Sequence, residues 1–273
     1  VNSGIIDISG GTGTSAAGMV AKTDTAADTA TVENKNKITV GSNLGMYIAG
    51  AGTSSGKNTG TITATTGTGV YVDGSGNSFN GTGGTIASNT VGIYLKNTDA
   101  NKITTGTLNI GSGGVGVFGE DAEIDFAVNV TGTGAVGVAA KGNSIISGNI
   151  KTGQGSVGAF LLNDTVTFNG AVIETGASIP ESGPGANDAK TSVGILFDAG
   201  ITSTYTMNNV TVNAKDGVGI YLGGTGMTLN HNGNITTEGG IGIYVKNGTT
   251  LATGTSTLNI SNGGTGVYIE QGT

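Results

Sequence analysis

A glycine followed by an apolar triplet recurs along this chain about every 24 residues, and no other property restricts the fold so tightly. The anchors are Gly18, Gly45, Gly69, Gly92, Gly116, Gly137, Gly158, Gly194, Gly219, Gly242 and Gly266. All but one of the intervals between them lie between 21 and 27 residues; the exception, Gly158 to Gly194, is 36. The stretch VGIYLKN (91–97) returns as VGIYLGG (218–224), IGIYVKN (241–247) and TGVYIEQ (265–271), with looser copies LGMYIAG (44–50) and TGVYVDG (68–74). A repeat of this length marks a solenoid, in which no single unit buries its own apolar side chains but stacked units share one core.

Each anchor strand leads through a polar turn to a weaker strand such as SFNGT (78–82), KITTG (102–106) or SIISG (144–148). A second turn then leads to another, such as GTIAS (84–88), GTLNIG (106–111) or GNIKTG (148–153). Three short strands per period predict an all-β, right-handed parallel β-helix of about 11 coils. At ~4.8 Å per step the rod is roughly 48 Å long. A helical solenoid is excluded, because no segment sustains a 3.6-residue period and glycine is costly inside helices.

Alternation along VGIYLK predicts that Val91, Ile93 and Leu95 point inward and that Gly92, Tyr94 and Lys96 point outward. The same parity predicts an external ladder of Tyr47, Tyr71, Tyr94, Phe118, Phe160, Tyr221, Tyr244 and Tyr268, interrupted at Ala139 and Leu196. Aromatic rings on neighbouring strands pair favourably and shield the backbone, so the ladder is first a structural device; the alternative is a contact strip for sugar faces or another protein. Asn, Thr and Ser in successive turns are expected to form inter-coil ladders of their own.

Of 273 residues, 54 are glycine, two are proline and none is cysteine or tryptophan. With 36% hydrophobic and only 11% charged residues, the chain has the composition of a folded protein rich in tight turns rather than of a disordered one. A net charge of −7 with no arginine argues against nucleic acid as a partner. No run of 18 apolar residues exists, so no membrane insertion is expected. Absence of cysteine excludes a disulfide framework and thiolate chemistry, and is compatible with an exported protein that crosses a membrane unfolded.

The long interval contains TGASIPESGPGANDAKTS (175–192), with both prolines of the chain, and predicts a protruding loop. Insertions in solenoids map to surface loops and often bind, which makes Ile179, Pro180, Glu181, Pro184, Asn187, Asp188 and Lys190 the candidate binding residues. The polar stretch 21–37 reads as a possible second loop or a frayed end. Neither terminus carries a recognisable cap, so the chain reads as a segment cut from a longer stack.

Enzymatic motifs are weak. Asp73, Asp99, Asp164, Asp198 and Asp216 lie in or near turns, and Glu120, Asp121, Glu123 and Asp125 form the closest cluster in sequence. These read as solvated turn charges, although stacking could bring Asp73 beside Lys96. Glycoside hydrolysis needs two carboxylates converging in a cleft. The only histidine, His231, reads as a surface or ladder residue, with nothing local to complete a triad. DGSGN (73–77) imitates half of an EF-hand loop, but position 84 is Gly where a bidentate Glu is needed. GGTGTS (10–15) lacks the aspartate of the calcium nonapeptide, and the Asn-x-Thr sequons at Asn80 and Asn247 are expected by chance in this composition. No catalytic residue, metal or cofactor is predicted.

The units VGIYLKN, TGTLNIGSGGVGVFGED (105–121) and STLNISNGGTGVYIE (256–270) resemble passenger domains of the large fusobacterial type V autotransporters, the RadD-like outer-membrane adhesins. The resemblance covers essentially the whole chain in repeat style and composition. It implies a non-enzymatic, monomeric β-helical stalk displayed at the cell surface. Its implied partner is a host or bacterial surface protein or glycan. No family binding residue carries over. A β-helix carbohydrate-active enzyme and a pure spacer are the alternatives.

Overall fold

A computed structural model describes residues 1–10, 16–163, 165–182, 190–246, 248, 250–253 and 256–270. The chain winds into a parallel β-solenoid of about ten turns, consistent with a right-handed parallel β-helix, and no helix occurs among the described residues.

One face is an unbroken eleven-stranded sheet. Its strands are Ala17–Thr23, Leu44–Gly50, Thr68–Asp73, Val91–Lys96, Val115–Glu120, Val136–Lys141, Val157–Leu161, Val193–Phe197, Val218–Leu222, Ile241–Val245 and Thr265–Ile269. Every glycine anchor therefore marks one strand of this sheet. Each turn continues through a second face, as in Thr53–Asn58 and Ser78–Asn80, and a third, as in Thr61–Ala64 and Thr85–Ser88. The interior is a dry column in which Ile93, Leu95, Val117 and Val138 of the long sheet meet Phe79 and Ile103 of the second face and Ile62, Ile86 and Leu108 of the third.

The expected alternation holds from Ile93 onward but fails at the anchor. Gly92 and Ile93 are both buried and Val91 is only half-buried, so two consecutive residues face inward. A Cβ on Gly92 would lie 2.7 Å from the carbonyl oxygen of Gly116 in the next turn and 3.0 Å from Ile110 Cδ1. The anchor must be glycine because its backbone presses directly onto the neighbouring turn, leaving no room for a Cβ.

Segment 21–37 is not a loop. It contains the end of Ala17–Thr23, a short turn, the whole of Thr29–Asn34 and the first residue of Lys37–Val40. Pairing of Thr29–Asn34 with Thr53–Asn58, and of Asn34 Nδ2 with Asn58 Oδ1 at 2.8 Å, holds this polar sequence in the stack. Asn2 Nδ2 reaches Asn34 Oδ1 at 2.8 Å, so the expected amide ladder spans three turns here, beside a Thr31–Ser55 hydroxyl pair at 3.0 Å.

Three strands per turn give way to two near the far end. There the second and third faces fuse into Thr204–Lys215, which pairs with Thr228–Glu238 across a register shift at Asn208/Val210. Asn209 takes φ 55° at the bend, a conformation asparagine tolerates better than most residues.

Candidate functional site

The ladder is present on the outside of the long sheet. Tyr47, Tyr71, Tyr94 and Phe118 stack in sequence with ring centroids 5.6, 5.0 and 4.9 Å apart. Tyr221, Tyr244 and Tyr268 form a second run at 4.9 and 5.1 Å. These spacings follow from register, since each ring sits one strand above the last. Phe160 stands in the same column between Ala139 and Leu196. The seventh tyrosine, Tyr205, is a core residue: its ring meets Phe197 edge-on at 4.8 Å and its hydroxyl donates to the Val166 carbonyl.

Two residues beyond the ladder runs a second column of alternating charge, Asp73, Lys96, Glu120 and Lys141, aligned one per turn. Stacking thus brings Asp73 beside Lys96, as the repeat allowed. Glu120 binds Lys141 at 3.1 Å and Lys96 at 3.8 Å, and it accepts a hydrogen bond from the Tyr94 hydroxyl. That hydrogen bond, with the lysines, holds its carboxyl below the usual range. Burial, with Asp73 nearby, pushes the Tyr71 phenol up to about 12.

The two interruptions of the ladder differ. Ala139 is 2% exposed rather than outward and open. Lys141, on the same strand, places its ammonium 5.7 Å from the Phe118 ring centre on that side. Leu196 instead borders an open notch of about 210 Å³ walled by Phe160 and Tyr221.

The insertion is tied back to the rod at its base. Ile179 and Lys190 form an antiparallel bridge at 2.8 and 2.9 Å. The Ser178 hydroxyl donates to the Asp216 carbonyl at 2.7 Å, and Lys190 Nζ reaches Ser112 Oγ at 2.5 Å, 78 residues earlier. Ile179 and Lys190 therefore pack against the rod rather than project from it, while Pro180 and Glu181 are exposed. Pro184, Asn187 and Asp188 lie outside the described residues, as do Asp164, Asn247 and most of GGTGTS.

The sequence cluster of carboxylates is pulled apart by the fold. Glu120 joins the charge column, Asp121 Oδ1 accepts from the Asn143 amide at 2.8 Å, and Asp125 Oδ2 accepts from the Asn101 amide at 2.7 Å. In DGSGN, Asn77 is buried and its Oδ1 accepts the Ser54 amide at 2.8 Å, which makes it a turn-stacking residue. His231 is not at the surface: it is fully buried above Met207, with Nδ1 2.8 Å from Ser256 Oγ, and burial pushes its pKa down. On the third face a groove of about 390 Å³ gathers Glu174 and Glu238, each paired with a lysine, Lys151 at 3.6 Å and Lys215 at 3.8 Å. Among the described residues no three His, Cys, Asp or Glu side chains are grouped as a metal site would require.

No family model, curated protein or solved structure matches this chain.

Proposed function

We propose that this chain is a stretch of a non-enzymatic bacterial surface adhesin, an exported passenger that holds contact surfaces away from the cell. The observation that carries the reading is the unbroken eleven-stranded sheet. It makes a stiff rod whose outer face carries two runs of stacked aromatic rungs beside a column of alternating charge. The repeat units that resemble autotransporter passengers support the same reading, as does an insertion whose base is fastened to the rod with Pro180 and Glu181 exposed beside it. Repeated weak contacts on a rigid support raise avidity without a single strong site. The carboxylates that share a groove favour no hydrolytic reading, because each is engaged with a lysine.

The test is adhesion of beads coated with the purified segment to bacterial and epithelial cells. A second variant joins Ile179 to Lys190 through Asn-Gly, a two-residue turn suited to an antiparallel pair. Binding by the original segment, weakened in this variant at unchanged melting temperature, supports the proposal. Absence of binding by the original segment overturns it in favour of a spacer.

A further inference from the structure

We infer that the two tyrosine runs are sites of oxidative cross-linking, in which rungs on successive turns couple into dityrosine. The chain has seven tyrosines and neither tryptophan nor cysteine, so tyrosine is the side chain most open to one-electron oxidation. Six of the seven stand in the two stacked runs.

Register sets these rings against each other. Tyr71 and Tyr94 are direct partners in a parallel pair, with ring centres 5.0 Å apart and planes at 20°. Tyr221 and Tyr244 repeat the arrangement at 4.9 Å and 12°. Both pairs are half-buried on the outer face of the long sheet, where a small oxidant can reach the ring edges. Holding two rings in contact removes the translational entropy cost that a two-body coupling otherwise carries.

Each pair also has a proton acceptor in place. The Tyr94 hydroxyl donates to Glu120, whose carboxylate Lys96 and Lys141 hold ionised from 3.8 and 3.1 Å. The Tyr244 hydroxyl donates to Glu270 at 2.5 Å, and in both cases the glutamate lies two residues past the next rung of the ladder. A phenol gives up an electron readily only as its proton departs, and a hydrogen-bonded carboxylate can take that proton. Tyr205 is the counter-example in the same chain: it is buried, and its hydroxyl donates to the Val166 carbonyl, which takes no proton.

The chemistry closes with two equivalents of a one-electron oxidant, such as a peroxyl radical or a high-valent metal complex. One equivalent takes an electron from Tyr94 while its phenolic proton passes to Glu120. The other takes an electron from Tyr71, whose proton leaves to water. The two tyrosyl radicals then join through a carbon–carbon bond between ring positions ortho to the hydroxyls. Each of those positions passes its hydrogen to its own phenolic oxygen, which restores both aromatic rings. The product ties one turn covalently to the next, and this holds whatever the rod adheres to.

The test exposes the purified chain to light with a tris-bipyridyl ruthenium complex and persulfate, which generates the one-electron oxidant. Dityrosine fluorescence from chains that remain monomeric is the expected result, with the mass of two hydrogen atoms lost per link. Peptide mapping should join Tyr71 to Tyr94 and Tyr221 to Tyr244, and leave Tyr205 unmodified. Glu120→Gln is expected to slow the first link about tenfold or more and to leave the second unchanged. Tyr94→Phe keeps the ring stack and should abolish the first link alone, while Phe118→Tyr should add a link to Tyr94. Dityrosine confined to covalent dimers, links between rungs that are not adjacent, or an unchanged rate in Glu120→Gln each overturns the inference.

Discussion

The Tyr94 hydroxyl donates to Glu120 one turn along the axis, so the aromatic and charged columns of the long sheet are bonded to each other and not merely parallel. The folded-state pKa of Glu120 lies below its ordinary value of 4.5, so its contribution is present above that pH and is lost as pH falls through the lowered value. Glu120→Gln is expected to remove that part of the acid dependence and to cost less than about 1 kcal/mol at neutral pH, since the carboxylate is near solvent. Urea titrations at pH 7 and below pH 4.5 check both halves.

His231 sets a second acid dependence. Its pKa is lowered by burial, so the unfolded chain takes up the proton first and stability falls as pH drops below 6.5. One proton gives a slope of at most about 1.4 kcal/mol per pH unit. His231→Leu flattens thermal stability between pH 7 and 5, measured by circular dichroism. An unchanged slope would mean that another group titrates there.

The ladder is expected to add stability rung by rung. Each stacked pair is worth ~0.5–1.5 kcal/mol beyond burial. Tyr71→Ala, which loses two pairs, should cost about 2 kcal/mol, and Leu196→Tyr should gain about 1 kcal/mol by creating two. Tyr71 carries an independent signature. Its phenol is held up near 12, so near-ultraviolet titration should show delayed ionisation, with stability falling as pH rises above 10.

At the glycine anchors the tolerance is smaller. Gly92→Ala places a methyl 2.7 Å from the Gly116 carbonyl, backbone that has nowhere to go. A loss of about 2 kcal/mol or more is expected, with hydrogen-exchange protection falling first in Val91–Lys96 and Val115–Glu120.

Most of this architecture is readable in the chain because one glycine and one apolar triplet recur at the period of a turn. Ile93 and Leu95 went to the core and Tyr94 to the ladder as alternation requires. Val91 did not, because the tight approach at Gly92 resets the parity and no pattern of polarity records a backbone contact between turns. Segment 21–37 looked like a loop since Thr, Asn and Glu fill both its strand and its turns; its place in the stack rests on hydrogen bonds from Asn34 to its neighbours above and below. His231 looked superficial beside Asn230 and Asn232, yet the fused strand turns it inward while its neighbours face out. The notch at Leu196 was visible only as a gap in the ladder.

The fastening of Lys190 to Ser112 departs from the nearest-neighbour logic of a solenoid. In a simple solenoid each turn grips only its neighbours. Here one side-chain contact joins residues 78 apart, so the base of the insertion is tied to turns that do not adjoin it in sequence.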